Sequence, residues 1–269
     1  MSCTSSCFRF GLTAAVLSFA PAALAEPWTY TLEGYGYLPW VQGTTTIRGF
    51  QADTNLAPGQ ALNLLQSAFS ARASAETDRV GLLVDVAYTQ LGAEQAITSQ
   101  RGRFTGSAEV PAINGVYDLA LRYRLGEPEA AVAKTGNWWL IPYAGVRVIQ
   151  ARLGVDAEVV GNSGRGFQWQ SEGTVQRTWS QMLLGTQAAV FLTPTVRLFA
   201  RADVGGFGLA GDQDLSGNAQ AGVGFAIGNN TSLNVSWRYL GLAYNNGNQR
   251  ATGFTSNQNG IEMGLKFYF

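Results

Sequence analysis

The chain reads as an exported all-β protein: an antiparallel up-and-down transmembrane β-barrel of about ten strands, with eight or twelve as the alternative counts. Three features predict this. Residues 1–25 carry the parts of a secretory signal. Ten later segments alternate apolar and polar residues with a period of two. Their connections alternate between tight turns and long polar stretches, with both chain ends on the tight-turn side.

Residues 1–25 read MSCTSSCFRFGLTAAVLSFAPAALA. Arg9 precedes an apolar run from Phe10 to Ala20, and Ala23-Leu24-Ala25 supplies a small-x-small cleavage site. The run is too short and wrongly flanked to anchor in a bilayer. Cys3 and Cys7, the only cysteines, lie inside it, and Cys7 is far from the cleavage site, which argues against a lipoprotein. Residues 26–269 therefore form one barrel domain without disulfide or thiol chemistry.

Composition excludes several function classes. With 18 basic and 18 acidic residues the chain is close to neutral, so it has no basic surplus for nucleic acid. It contains no histidine. That removes histidine-activated nucleophiles, histidine bases and histidine metal ligands together. No cofactor and no metal site are expected, and no run of 18 apolar residues follows the signal.

The strands follow in order at 28–38, 67–76, 80–90, 116–125, 138–149, 179–191, 195–204, 218–227, 231–240 and 260–269. The clearest is 195–204, where Val196, Leu198, Ala200, Ala202 and Val204 oppose Arg197, Phe199, Arg201 and Asp203. In 231–240, Leu233, Val235, Trp237 and Tyr239 oppose Ser232, Asn234, Ser236 and Arg238. In 116–125, Tyr117, Leu119, Leu121 and Tyr123 oppose Asp118, Ala120, Arg122 and Arg124. Tight turns fall at 77–79, 193–195 and 228–230, with 126–136 a longer member of the same set. The stretches 40–66, 92–113, 150–176, 209–217 and 245–256 read as long polar loops, the first with room for a short helix near Ala61 to Leu65.

Alternation alone does not say which face is outside. A soluble barrel turns its apolar parity inward, and a membrane barrel turns it outward. The polar parity here holds small residues, arginines and carboxylates with one lysine, Lys266, whereas a solvated face usually shows several. The apolar parity places Trp28, Trp138, Trp179, Trp237, Phe267 and Phe269 near strand ends, as an interfacial girdle requires. It is also rich in alanine, which fills a jigsaw core poorly. The membrane sense is preferred, and the soluble periplasmic barrel is the alternative.

With that sense, the inward parity carries Glu33, Arg72, Glu76, Asp85, Asp118, Arg122, Arg124, Arg147, Arg197, Arg201, Asp203, Arg238, Glu262 and Lys266. Acids and bases nearly balance. Ten strands enclose a narrow space, so an ion-pair network plugging the lumen is the expected state. A polar pathway for small solutes or ions is the alternative. Asp203, Asp212 and Asp214 gather near one rim beside Gly205 and Gly206, but they read better as a solvated strand end than as a catalytic or calcium site. An enzyme is not expected.

The chain ends GIEMGLKFYF, with Ile261, Met263, Leu265, Phe267 and Phe269 on one parity. This ending resembles the C-terminal signal of Gram-negative outer-membrane barrels, and the resemblance implies recognition by the β-barrel assembly machinery. A wider resemblance rests on WTYTLEGYGYLPWVQGTTTIRG, VGLLVDVAYTQL, RADVGGFG (201–208) and SWRYLGLAY. These blocks are similar to a large proteobacterial family of small outer-membrane barrels near the OmpA-like type, whose members are mostly uncharacterised. The resemblance implies a fold and an outer-membrane location in contact with lipid, and no activity for any residue. Long loops leave an extracellular ligand as an open expectation.

Overall fold

All ten alternating segments become strands, and each pairs with its neighbour in the chain. The computed structural model describes residues 28–47, 50–98, 104–161, 168–208, 213–245 and 253–269. Residues 1–25, read above as a secretory signal, lie outside them. The wall is built from β1 (Thr29–Ile47), β3 (Leu65–Thr77), β4 (Val80–Thr98), β5 (Phe104–Tyr123) and β7 (Trp138–Gly161). It continues through β8 (Gln168–Thr193), β9 (Val196–Gly206), β10 (Gln213–Gly228), β11 (Thr231–Asn245) and β12 (Gly253–Tyr268). Three short elements complete the order: β2 (Phe50–Leu56), helix α1 (Pro58–Asn63) and β6 (Leu125–Gly126).

Every wall contact is antiparallel, and β12 returns to β1 from Thr31↔Tyr268 to Thr46↔Gly253. The sheet is thereby a closed cylinder of ten strands with no free edge along most of its height. Two-residue turns join β3 to β4, β8 to β9 and β10 to β11 at the end of the wall where β1 starts and β12 finishes.

The faces are those of a barrel in an apolar solvent. Leu82, Leu119, Leu121, Met182, Leu198 and Ile261 all point outward and are exposed. The fourteen charged residues of the opposite parity are all buried. Alanines on the outward parity, such as Ala200 and Ala202, lie on the exposed face.

Two expectations need correction. The stretches read as long loops are largely strand: β7 and β8 have 24 and 26 residues and pair up to Val160↔Gln168. A tilted strand needs only about 9–11 residues to cross a bilayer. The backbone pairing of β7 and β8 therefore runs well past the length that a bilayer crossing needs. Such strands lose their alternation and keep only their backbone pairing, so the sequence does not reveal them.

The second correction is Trp179. It does not join the girdle with Trp28, Trp138, Trp237, Phe267 and Phe269, all of which are exposed. It is 6 % exposed, on the inward parity, packed with Ile149, Leu240, Leu242 and Tyr244. Its ring lies 5.0 Å from that of Tyr244, three strands further round the wall. In β8 both parities are apolar, so the pattern gave no sign of which faces the interior.

One part of the wall departs from the ideal cylinder. β1 pairs β3 only from Thr29↔Glu76 to Gly34↔Ala71, and pairs β2 only from Val41↔Leu56 upward. Residues 35–40 of β1 and 65–70 of β3 face each other unpaired, a notch about 20 Å long at the usual rise per residue. Pro39, which has no N–H to donate, falls within it. Helix α1 packs against β1 beside this notch. Pro58 opens it, Ala57 donates its N–H to Gln60 Oε1 at 2.9 Å, and Gly92 N–H ties the helix end to β4 through Leu64 O at 2.8 Å.

Candidate functional site

Among the described residues ionisable side chains converge in the interior, and strand parity puts them there. Two connected groups of ion pairs fill it. The central group joins Glu33, Arg72, Asp85, Arg201, Asp118, Asp203, Arg147, Glu262 and Arg238. Arg72 donates to Asp85 at 2.9 Å and Glu33 at 3.1 Å, and lies 3.8 Å from Glu262. Arg238 donates to Glu262 at 2.7 Å. Arg201 reaches Asp85 at 2.5 Å, four strands away round the wall, and lies 3.3 Å from Asp203 and 3.6 Å from Asp118.

Arg147 is the most enclosed cation, 1 % exposed. Its guanidinium grips both oxygens of Asp118 at 2.7 Å and also donates to Asp203 at 2.8 Å and Ser216 at 3.1 Å. Such fork-to-carboxylate geometry is the strong form of the interaction. Tyrosines fill the space between: Tyr35 donates to Asp85 at 2.7 Å, and Tyr143 donates to Asp203 at 2.8 Å while accepting from Arg201 at 2.8 Å. Their rings also lie against guanidinium groups, Arg72 over Tyr35 at 4.9 Å and Arg201 over Tyr143 at 5.3 Å.

The second group closes the short-turn end. Arg122 and Arg124 both donate to Glu76, and Arg122 also pairs with Glu129. Glu129 bridges across to Lys266 on β12, four strands from β5. It belongs to the segment 127–137, which follows Gly126 in the left-handed region, φ +87°, where a Cβ would collide with Trp138 O. That segment folds across the barrel end, held by Ala133 N–H to Pro194 O at 3.2 Å and Gly136 N–H to Phe191 O at 2.8 Å. The Glu129 side chain is 4 % exposed. Burial raises its pKa, but Lys266 and Arg122 outweigh burial and hold the carboxyl below its usual range.

Arg197 departs from the expected pattern. Among the described residues it has no carboxylate partner; it donates to Ser232 at 3.1 Å and Asn234 at 2.7 Å, and Asn234 in turn donates to Glu33 at 2.6 Å. Five carboxylates face four arginines in the central group, and Arg197 joins them through this amide. The acidic rim cluster also dissolves. Asp203 is part of the network, Asp214 is buried and accepts from Gln181, and Asp212 lies outside the described residues.

Sequence reasoning missed Glu129, because its segment has no alternation to place it. Tyr35, Tyr143, Gln181, Ser216 and Asn218 were reachable, since each shares its parity with a charged residue on the same strand or its neighbour. Above the charged layers, Ile149, Trp179, Leu240, Leu242 and Tyr244 form an apolar layer toward the long-hairpin end.

No protein-family model matches the chain, and no curated protein sequence matches it. Among solved structures it is similar to the outer membrane protease OmpT from Escherichia coli, with TM-score 0.54 over 90 % of this chain and 97 % of that chain. The fold is that of an outer-membrane β-barrel. At 11 % identity the likeness carries the fold and no activity. Looser matches are Ail, the attachment invasion locus protein of Yersinia pestis (TM-score 0.31, 12 % identity, 91 % and 99 % covered), and Neisserial surface protein A (TM-score 0.27, 13 % identity, 91 % and 100 % covered).

Proposed function

We propose that the chain is an integral outer-membrane barrel of a Gram-negative bacterium whose lumen is closed by its own side chains. Its role is then structural or surface-contacting and non-enzymatic, exercised from the wall and the tall hairpins. The observation that carries this is the lumen itself. Arg201 crosses it to Asp85 four strands away and Arg147 ties Asp118 to Asp203, with the Glu129 segment across one end and the Trp179 layer toward the other.

A conducting pore needs a continuous hydrated path, and buried charges are stable here because they are paired and hydrogen-bonded. Catalysis is disfavoured for the same reason. The interior carboxylates are engaged by arginines, and the chain has no histidine to act as a base near neutrality. The outward apolar band and the girdle of Trp28, Trp138 and Trp237 support residence in lipid. The terminal parity Ile261, Met263, Leu265, Phe267 and Phe269 supports delivery by the assembly machinery after export. The short-turn end then faces the periplasm and the tall hairpins face outward.

Single-channel recording in planar bilayers tests the reading. Refolded protein of proven heat-modifiable migration is expected to pass no steady current. A stable open conductance in the wild type would replace the closed barrel with a narrow channel for small solutes or ions.

A further inference from the structure

The notch between β1 and β3 lies beside a second surface feature. Above Trp40 the outward face of β1 changes from apolar to amide and hydroxyl. Gln42 stands in register with Asn55 on β2 and Asn257 on β12, and the next row is Asp53, Thr44 and Thr255. Strands lie about 4.8 Å apart, so each row presents three polar groups at the spacing of a sheet. Together these rows form a shallow groove of about 360 Å³.

The chemistry of the groove is specific. Among the described residues its lining has no lysine or arginine, and Asp53 gives it one carboxylate, which Thr44 Oγ1 engages at 2.8 Å. A phosphate would be repelled there. Tyr239 donates to Asn257 Oδ1 at 2.8 Å, which fixes that amide and leaves its NH₂ outward. Amides and hydroxyls that both donate and accept, next to a carboxylate acceptor, suit the vicinal hydroxyls of a neutral sugar. Just below, Trp40 and Trp237 lie 5.9 Å apart and offer ring faces on the same side of the wall.

The notch supplies the other half. Leu38, Leu62, Leu65 and Phe69 crowd around it and are all exposed, Leu62 at 53 % and Phe69 at 61 %. Residues 65–69 of β3 are exposed on both parities, whereas lower down β3 alternates as a closed wall does. Bare backbone N–H groups in an apolar surround need acceptors, and the ester carbonyls at the neck of an outer-leaflet lipid supply them. The lipid's tail then lies over the leucines and Phe69 around the notch.

We propose that notch and groove together bind one lipid with an uncharged saccharide headgroup, its sugar on the Gln42, Asn55 and Asn257 row and its tail against Leu38, Leu62 and Phe69. This rests on the outer-membrane reading, with the hairpin end outward. Polar row and apolar notch share β1, so a single amphiphile reaches both.

The test is native mass spectrometry of the full mature chain released from nanodiscs holding equal parts of phosphatidylcholine, phosphatidylglycerol and monoglucosyldiacylglycerol. Incorporation into the discs with heat-modifiable migration checks the membrane reading first, separately from the site. The glucolipid is expected to be retained preferentially. Gln42→Ala with Asn55→Ala, both exposed and remote from the lumen, should cut that preference about tenfold through loss of one or two hydrogen bonds. Leu62→Asn should weaken retention of the same lipid while the barrel still incorporates. Equal retention of phosphatidylglycerol, or a preference untouched by the double substitution, would overturn the proposal. So would free maltose binding as tightly as the glucolipid, since the notch would then contribute nothing.

Discussion

Arg201→Ala probes the closed lumen most directly. In the wild type the guanidinium lies 2.5 Å from Asp85, 3.3 Å from Asp203 and 3.6 Å from Asp118, and it donates to Tyr143. Removing it leaves three carboxylates with one cation fewer. Asp85 keeps Arg72, Asp118 keeps its two bonds from Arg147, and Asp203 keeps Arg147, Tyr143 and Asn218. No carboxylate is stripped bare. The cost should therefore sit at the lower end of the range for breaking a buried pair, about 3 kcal/mol. The assay is a urea titration of the refolded protein in lipid vesicles, with folding read by heat-modifiable migration. Arg201→Ala combined with Asp85→Asn restores the charge balance and should recover part of the loss, whereas independent sites would simply add. A loss under about 1 kcal/mol for the single substitution would show that water already screens these groups. Together with an open wild-type conductance, that result would refute the closed lumen.

Four further outcomes follow from the same geometry. Ala200→Arg puts a charge on the lipid face and should cost about 2–4 kcal/mol in a folding titration in vesicles. Gln220→Arg, where the wild-type amide already donates to Glu262 at 2.7 Å and Ser236 at 2.8 Å, must fit a longer side chain into a filled interior and should also destabilise; a neutral result would indicate a roomy, hydrated lumen. Glu129 has a lowered folded pKa, so its contribution is present above its unfolded value, about 4.3, and is lost as pH falls below that. Hydrogen-exchange protection of 127–137, taken relative to the intrinsic rate at each pH, should fall below about pH 4 before that of the barrel strands, and Glu129→Gln should show the same loosening at pH 7; acid-resistant protection would count against the bridge. Deleting Phe269, which is 70 % exposed, should lower assembled protein in cells far more than it lowers stability after refolding, where one apolar side chain is worth about 1.5–3 kcal/mol.

The sequence by itself determined the class of fold, the strand number and the two faces. The reason is local: a side chain's parity on a strand is set two residues at a time, and lipid on one side keeps the apolar parity unbroken. Val196 to Val204 and Leu233 to Tyr239 need nothing distant to be read correctly. The parity of the fourteen charged strand residues was legible for the same reason, whereas the buried Glu129 and Asp214 were not placed inside.

Tertiary structure decided everything that depends on which strands meet across the cylinder. No local pattern says that Arg201 crosses to Asp85, or that Arg197 settles on Ser232 and Asn234 with no carboxylate. Trp179 turned inward because its partners on β11 lie across the interior, while its own strand is apolar on both parities. The tall hairpins were hidden because their sequences do not alternate, while their strand pairing is made by backbone groups alone. The notch and Glu129 were hidden because irregular backbone carries no period at all. Parity is a property of neighbours along the chain; closure, pairing across the lumen and gaps in the wall are properties of the register, which forms only when the ends of the sheet meet.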